Sequence, residues 1–233
     1  MKKLLSSIFF LAFALLAVTF SFGSDASAAQ LTEKVKLKNV FIEIPYDKSK
    51  VKLVKSEEQD SVKIKLVDKK TGEVLETYGE VVEPVTELFK STNNSLSTDL
   101  ALASSGSYSI STVYRERTDG PAISRLNTQL YIYNSGSFRQ IQSVLNTWWS
   151  EETGGSWYLT REVASTVSMT GRFPTTKVQT SGSATIEVKT SYSASGSFSV
   201  SALQSAGFSL GYTSGSDLYY RKPISLGFQY SLY

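Results

Sequence analysis

The stretch SGSATIEVKTSYSASGSFSVSA, Ser181 to Ala202, decides the fold class. Its odd positions are all polar: Ser181, Ser183, Thr185, Glu187, Lys189, then a serine at every odd position from Ser191 to Ser201. Its even positions include Ile186, Val188, Tyr192, Phe198 and Val200. A period of two places one set on each face of a strand, so the ribbon reads as β-structure with a hydroxyl face and an apolar face. Unbroken, it would span roughly 70 Å, far beyond an ordinary strand. It is therefore expected to turn or bend at Gly196. A three-residue loop there pairs Ala194 with Phe198 and Tyr192 with Val200, and keeps the faces distinct. The alternative is a strand bent at the glycine.

The same alternation recurs downstream of residue 100. Tyr108, Ile110, Thr112 and Tyr114 fall at alternate positions, as do Leu126, Thr128, Leu130 and Ile132, then Val163, Ser165, Val167 and Met169, and Ile224 to Leu232. Between these runs lie the turn signals TDGP, NSGS, TGGS, GRFP and TSGS. Such spacing predicts an all-β chain, an antiparallel β-sandwich or partly closed barrel with at most one or two short helices. FRQIQSVLNTWW, Phe138 to Trp149, fits a helix nearly as well as a strand, and strand is the reading adopted.

Composition divides the chain. Gln30 to Lys90 holds twelve basic and twelve acidic residues, whereas Ser, Thr, Gly and Tyr dominate beyond it. The expected organisation is a signal peptide over 1–28, a charged N-terminal β-hairpin segment over 29–90, a linker over 91–100 and a Ser/Thr/Tyr-rich β-sandwich domain over 101–233. Asp68 to Gly72 is the hairpin turn of the charged segment, and EPVTELFK has the spacing of one helical turn. Lysines at alternate positions read as a solvated face that discourages edge pairing.

Lys2 and Lys3, the apolar run Ile8 to Phe22 and the Ala26-Ser27-Ala28 site form the secretory leader. The apolar run is short for a span, which takes about 20 residues. The expected product is secreted and extracellular, and the cysteine-free composition suits a Gram-positive bacterium. The net charge of +3 is too small to imply nucleic acid as a partner.

The chain has no histidine and no cysteine. That removes Ser-His-Asp and Cys-His nucleophiles and every His or Cys metal site. No alternating acidic calcium loop and no phosphate-cradling glycine loop is present. No catalytic residue, metal or cofactor is therefore assigned, and the chain is read as non-catalytic. Its three tryptophans lie within NTWWSEETGGSWYL. A two-residue hairpin loop at Gly154-Gly155 would set Trp148 opposite Arg161 and place Trp149 on one face with Tyr158. Trp148, Trp149, Trp157, Tyr158 and Arg161 are thus the candidate ligand-binding set, an aromatic platform with a cation partner. DLYYRKP, Asp217 to Pro223, is a second aromatic-basic patch, or a strand end.

Two functions follow. The first is binding at the cell surface or in the extracellular matrix, to a glycan, wall polymer or protein. The second is a membrane-active, pore-forming type of protein that inserts a 181–202 hairpin through Ile186, Val188, Tyr192, Phe198 and Val200. Lipid contact is expected only under the second.

Overall fold

The computed structural model describes residues 33–47, 49–85 and 106–233. The expected leader and the 91–100 linker lie outside the described residues, as does most of the expected helical turn after Pro84. Among the described residues, twelve strands form two antiparallel six-stranded sheets packed face to face, with no closed barrel. Sheet A has the order β1 (Glu33–Lys36), β2 (Phe41–Ile44), β12 (Asp217–Ser231), β10 (Lys177–Thr190), β9 (Trp157–Ser168), with β11 (Ser209–Ser214) also on β12. Sheet B runs β3 (Val51–Glu57), β4 (Ser61–Asp68), β5 (Val74–Pro84), β6 (Ser107–Asp119), β7 (Ala122–Ser135), β8 (Phe138–Glu151). The all-β sandwich reading is borne out.

The alternation assigns the faces. Leu126, Leu130 and Ile132 of β7, Ile64 and Leu66 of β4, Ile186 and Val188 of β10, and Ile224, Phe228 and Tyr230 of β12 are buried in one shared core. The strands from the charged segment are divided between the sheets: β5 pairs β6 along Thr77 to Pro84, and β2 pairs β12 at Tyr230 and Ser231. Glu80, fully buried on β5, ties the two parts together. Its carboxylate accepts the backbone N–H groups of Lys38, Asn39 and Val40 at 2.8, 2.9 and 3.2 Å, and the Ser111 hydroxyl. A buried carboxylate is tolerable only when its lone pairs are filled in this way.

One stretch of β12 lacks a strand neighbour. On the side shared by β11 and β2, residues 222–229 pair with no strand among the described residues. Two arginines of β6 reach across from sheet B instead: Arg115 donates to the Gly227 carbonyl and Arg117 to that of Ser225, at 3.2 Å for the latter. Arg115 is also held by Glu76, so the cation that caps the edge is itself neutralised.

The opening ribbon does not make a hairpin. β10 ends at Thr190, Gly196–Phe198 forms a 3₁₀ turn and Val200–Ser205 a short helix, α1. Serine explains the difference, because its hydroxyl bonds nearby backbone and competes with the ladder. Ser199 Oγ accepts from Ala202 N at 3.3 Å as the cap of α1 and donates to Gly196 O at 2.8 Å. Ile186 and Val188 are buried on β10, and Phe198 and Val200 pack partly against the core from outside any strand. Tyr192 is 83% exposed.

Candidate functional site

The odd-numbered side chains of β10 that are polar in the sequence lie on the outer face of sheet A. Ser181 sits between Ser165 of β9 and Gly227 of β12, and Ser183 between Val163 and Ser225. Small side chains on three adjacent strands leave a trough of about 440 Å³, lined by these serines and glycines together with Val163 and Leu226, and bounded by Arg115. Two glycines shape it differently. At Gly182 a Cβ would lie 2.8 Å from Val163 O and 2.9 Å from Trp149 Nε1, so only glycine admits the indole beneath the floor. At Gly227 a Cβ would meet only Thr180 O at 3.5 Å, so the space above is open.

One end of the face is aromatic and charged. Tyr158 of β9, Glu187 of β10 and Arg221 of β12 are neighbours in register. Glu187 is 2% exposed and accepts from the Tyr158 phenol, from Arg221 Nε at 2.5 Å and from Tyr212 Oη at 3.2 Å. Burial pushes its carboxyl up, but the bonds from Tyr158 and Arg221 outweigh burial and hold it below its ordinary range. The same bond to Glu187, then burial, raises the Tyr158 phenol, and burial foremost raises that of Tyr212. Both therefore stay protonated hydrogen-bond donors at neutral pH. Tyr212 stacks on Tyr219 with centroids 4.3 Å apart and planes 5° from parallel, and the Arg221 guanidinium lies 4.9 Å from the Tyr212 centroid. Ionic pairing and stacking hold these rings in one arrangement while Tyr158 and Tyr212 remain about two-fifths exposed, at 38% and 41%.

The structure separates the residues proposed from the sequence. β8 pairs β7, with Trp148 opposite Asn127, and β9 pairs β10, with Trp157 opposite Val188. The Gly154-Gly155 turn thus carries the chain from sheet B to sheet A rather than closing a hairpin. Trp149 and Trp157 are buried and donate to Val163 O at 3.1 Å and Thr153 O at 3.0 Å. Burying two large rings with satisfied N–H groups outweighs leaving them as a platform. Trp148 is half-buried on β8. Tyr158 belongs to the Glu187 cluster. Arg161 lies in a β-bulge, exposed, and the cation–π contacts of the fold involve Arg115, Arg125, Arg221 and Lys222 rather than Arg161.

Glu187 and Tyr212 went unrecognised in the sequence, since nothing local marks a strand glutamate as the hub of a cluster. Tyr219 and Arg221 lie in the aromatic-basic patch noted there. Among the described residues no group of three acidic, His or Cys side chains could hold a metal ion. No protein-family model, curated protein or solved structure matches the chain.

Proposed function

We propose that this chain is a secreted, non-catalytic β-sandwich that binds an extended polysaccharide or wall polymer along the outer face of sheet A. The observation that carries the reading is the serine- and glycine-rich trough across β9, β10 and β12, on the same sheet as the Tyr158, Tyr212 and Tyr219 rings further along the strands. Sugars are recognised by polar side chains that reach their hydroxyls and by aromatic rings against their C–H faces. Glu187 is occupied by three donors, which suits a structural role better than acid–base chemistry. Retention of the purified protein on insoluble cell-wall polysaccharide tests the reading, with Gly227→Trp as the blocking variant. Retention of the wild type and loss in an equally stable variant support it. Passage of the wild type through every polymer refutes it.

A membrane-active role is the second reading. It draws on Tyr192 and on residues 191–199, which pair with no strand and so have no ladder to break on rearranging. No helix among the described residues is long and apolar enough to cross a membrane, which says nothing of strands. Dye release from liposomes at micromolar protein is its test, and intact vesicles end it.

A further inference from the structure

Arg161 breaks a local rule. It is the non-glycine residue with a positive φ among the described residues, at 54°. A side chain in this left-handed region crowds the following carbonyl, which is why glycine is the usual occupant. The conformation comes from a bulge: the β9–β10 register shifts between Ser183 and Thr185, leaving Arg161 and Glu162 opposite Ala184. The bulge falls between the row of Tyr158 and Glu187 and the row of Val163 and Ser183, at the junction of the aromatic cluster and the trough.

Charge pairing singles out the same residue. On the three strands that floor the trough, Lys177 is bonded to Glu43, Lys189 to Asp217, Arg221 to Glu187 and Lys222 to Asp119. Arg115 at the margin is bonded to Glu76. Arg161 is exposed and has no ion pair or side-chain hydrogen bond among the described residues. A costly backbone conformation that leaves an exposed, uncommitted guanidinium two residues from Val163 of the trough is an arrangement function explains and stability does not.

We infer that Arg161 contacts an anionic substituent, carboxylate or phosphodiester, of the polymer bound in the trough. This rests on the polymer-binding reading above. A guanidinium and a carboxylate or phosphate oxygen form charge-assisted hydrogen bonds, stronger than those to a neutral hydroxyl. The ligand class is therefore an acidic polysaccharide or a polyol-phosphate polymer rather than a neutral glucan. Glu162 shares the bulge and works against such a ligand, which provides a second handle.

Binding is measured for a polyuronate, a polyol-phosphate polymer and a neutral β-glucan, with wild type, Arg161→Gly, Arg161→Gln and Glu162→Gln. The wild type is expected to prefer at least one acidic polymer by about tenfold, a preference that shrinks as salt rises from about 0.05 to about 0.5 M. Arg161→Gly and Arg161→Gln abolish the preference and Glu162→Gln increases it. Arg161→Gly also raises Tm by about 2–4 °C, because it relieves the left-handed residue. A binding defect together with a gain in stability is a signature that structural damage does not produce. Equal affinity for acidic and neutral polymers, or a preference retained in Arg161→Gly, overturns the assignment and leaves the binding reading intact. Failure of the wild type to bind any of the three overturns both.

Discussion

Thr128 of β7 and Thr180 of β10 meet hydroxyl to hydroxyl at 2.7 Å across the interface between the two sheets. Thr166 of β9 closes a triangle with them, at 3.0 and 2.7 Å, and Thr147 and Tyr230 extend it at 2.9 and 3.2 Å. Five hydroxyls from five strands thus satisfy one another inside an otherwise apolar core. Such a network sets sheet against sheet more specifically than apolar contact does, because a shift of one residue breaks every bond.

Replacing three members together should therefore cost less than the sum of three separate replacements. Thr180→Val leaves Thr128, Thr166 and Tyr230 short of a partner and should cost about 1–3 kcal/mol. The triple change Thr128→Val, Thr166→Val, Thr180→Val removes two of those hydroxyls together, leaving Tyr230 and Thr147 to lose partners, and its cost should fall well below three times that of the single change. Urea denaturation of the two variants provides the comparison; additive losses would show that the hydroxyls act independently.

Asp119 predicts an acid sensitivity. Buried at the β6–β7 turn, it binds Arg117 through both oxygens, at 2.6 and 2.8 Å, and Lys222 at 2.6 Å. Lys222 in turn donates to Ala206 O at 2.7 Å, which fixes the residues that follow α1. Burial works to raise the Asp119 carboxyl, but the bonds from Arg117 and Lys222 prevail and hold it below its ordinary range. A depressed folded value contributes stability above the unfolded value, about 3.9, and loses it as pH falls through the folded one. Asp119→Asn should cost about 1.5–3 kcal/mol at pH 7, with the gap to wild type narrowing below about pH 4. Parallel pH–stability curves for the two proteins would contradict this.

The two trough glycines should behave in opposite ways. Gly182→Ala places a methyl against Val163 O and the Trp149 indole and should cost about 1–3 kcal/mol by overpacking. Gly227→Trp enters open space and relieves a strand of a glycine, so its thermal midpoint should stay within a few degrees of wild type while polymer retention is lost. Thermal melts paired with retention assays distinguish the two effects.

Glu80 should be the most sensitive carboxylate in the chain. Glu80→Ala strands three backbone donors and the Ser111 hydroxyl in the interior and should cost about 3 kcal/mol or more, whereas Glu80→Gln retains an acceptor oxygen and should cost less. Equal losses in chemical denaturation would show that charge, rather than the accepting oxygen, holds the 37–40 turn.

What could be read from single residues came from parity. The alternation of Ser181, Ser183 and Glu187 with Ile186 and Val188 placed the first set on the outer face and the second in the core, because successive side chains of a pleated strand point to opposite faces; that Glu187 is covered on that outer face was not legible. Trp149 and Trp157 were visible as a cluster, but their alternation fits a hairpin with each other as well as separate pairings with β7 and β10. The aromatic cluster was half legible: DLYYRKP marked Tyr219 and Arg221, while Glu187 and Tyr212 have no local signature.

The sequence by itself therefore determined the β-character, the turn sites and the inward or outward sense of many strand residues, all consequences of a local period of two; Val163 and Val167, apolar but exposed on the outer face of β9, are exceptions. Only the tertiary structure decided which strands are neighbours, since any ladder of matching parity satisfies the same backbone groups. It also decided the fate of the serine run. The alternation through Ser201 permits a second strand, but the hydroxyls of Thr190 and Ser199 bond local backbone at Phe198, Gly196 and Ala202, and the ladder ends at Thr190. The hydroxyl face that survives, from Ser181 to Ser183, became a trough only when Ser165 and Gly227 came to lie on either side of it.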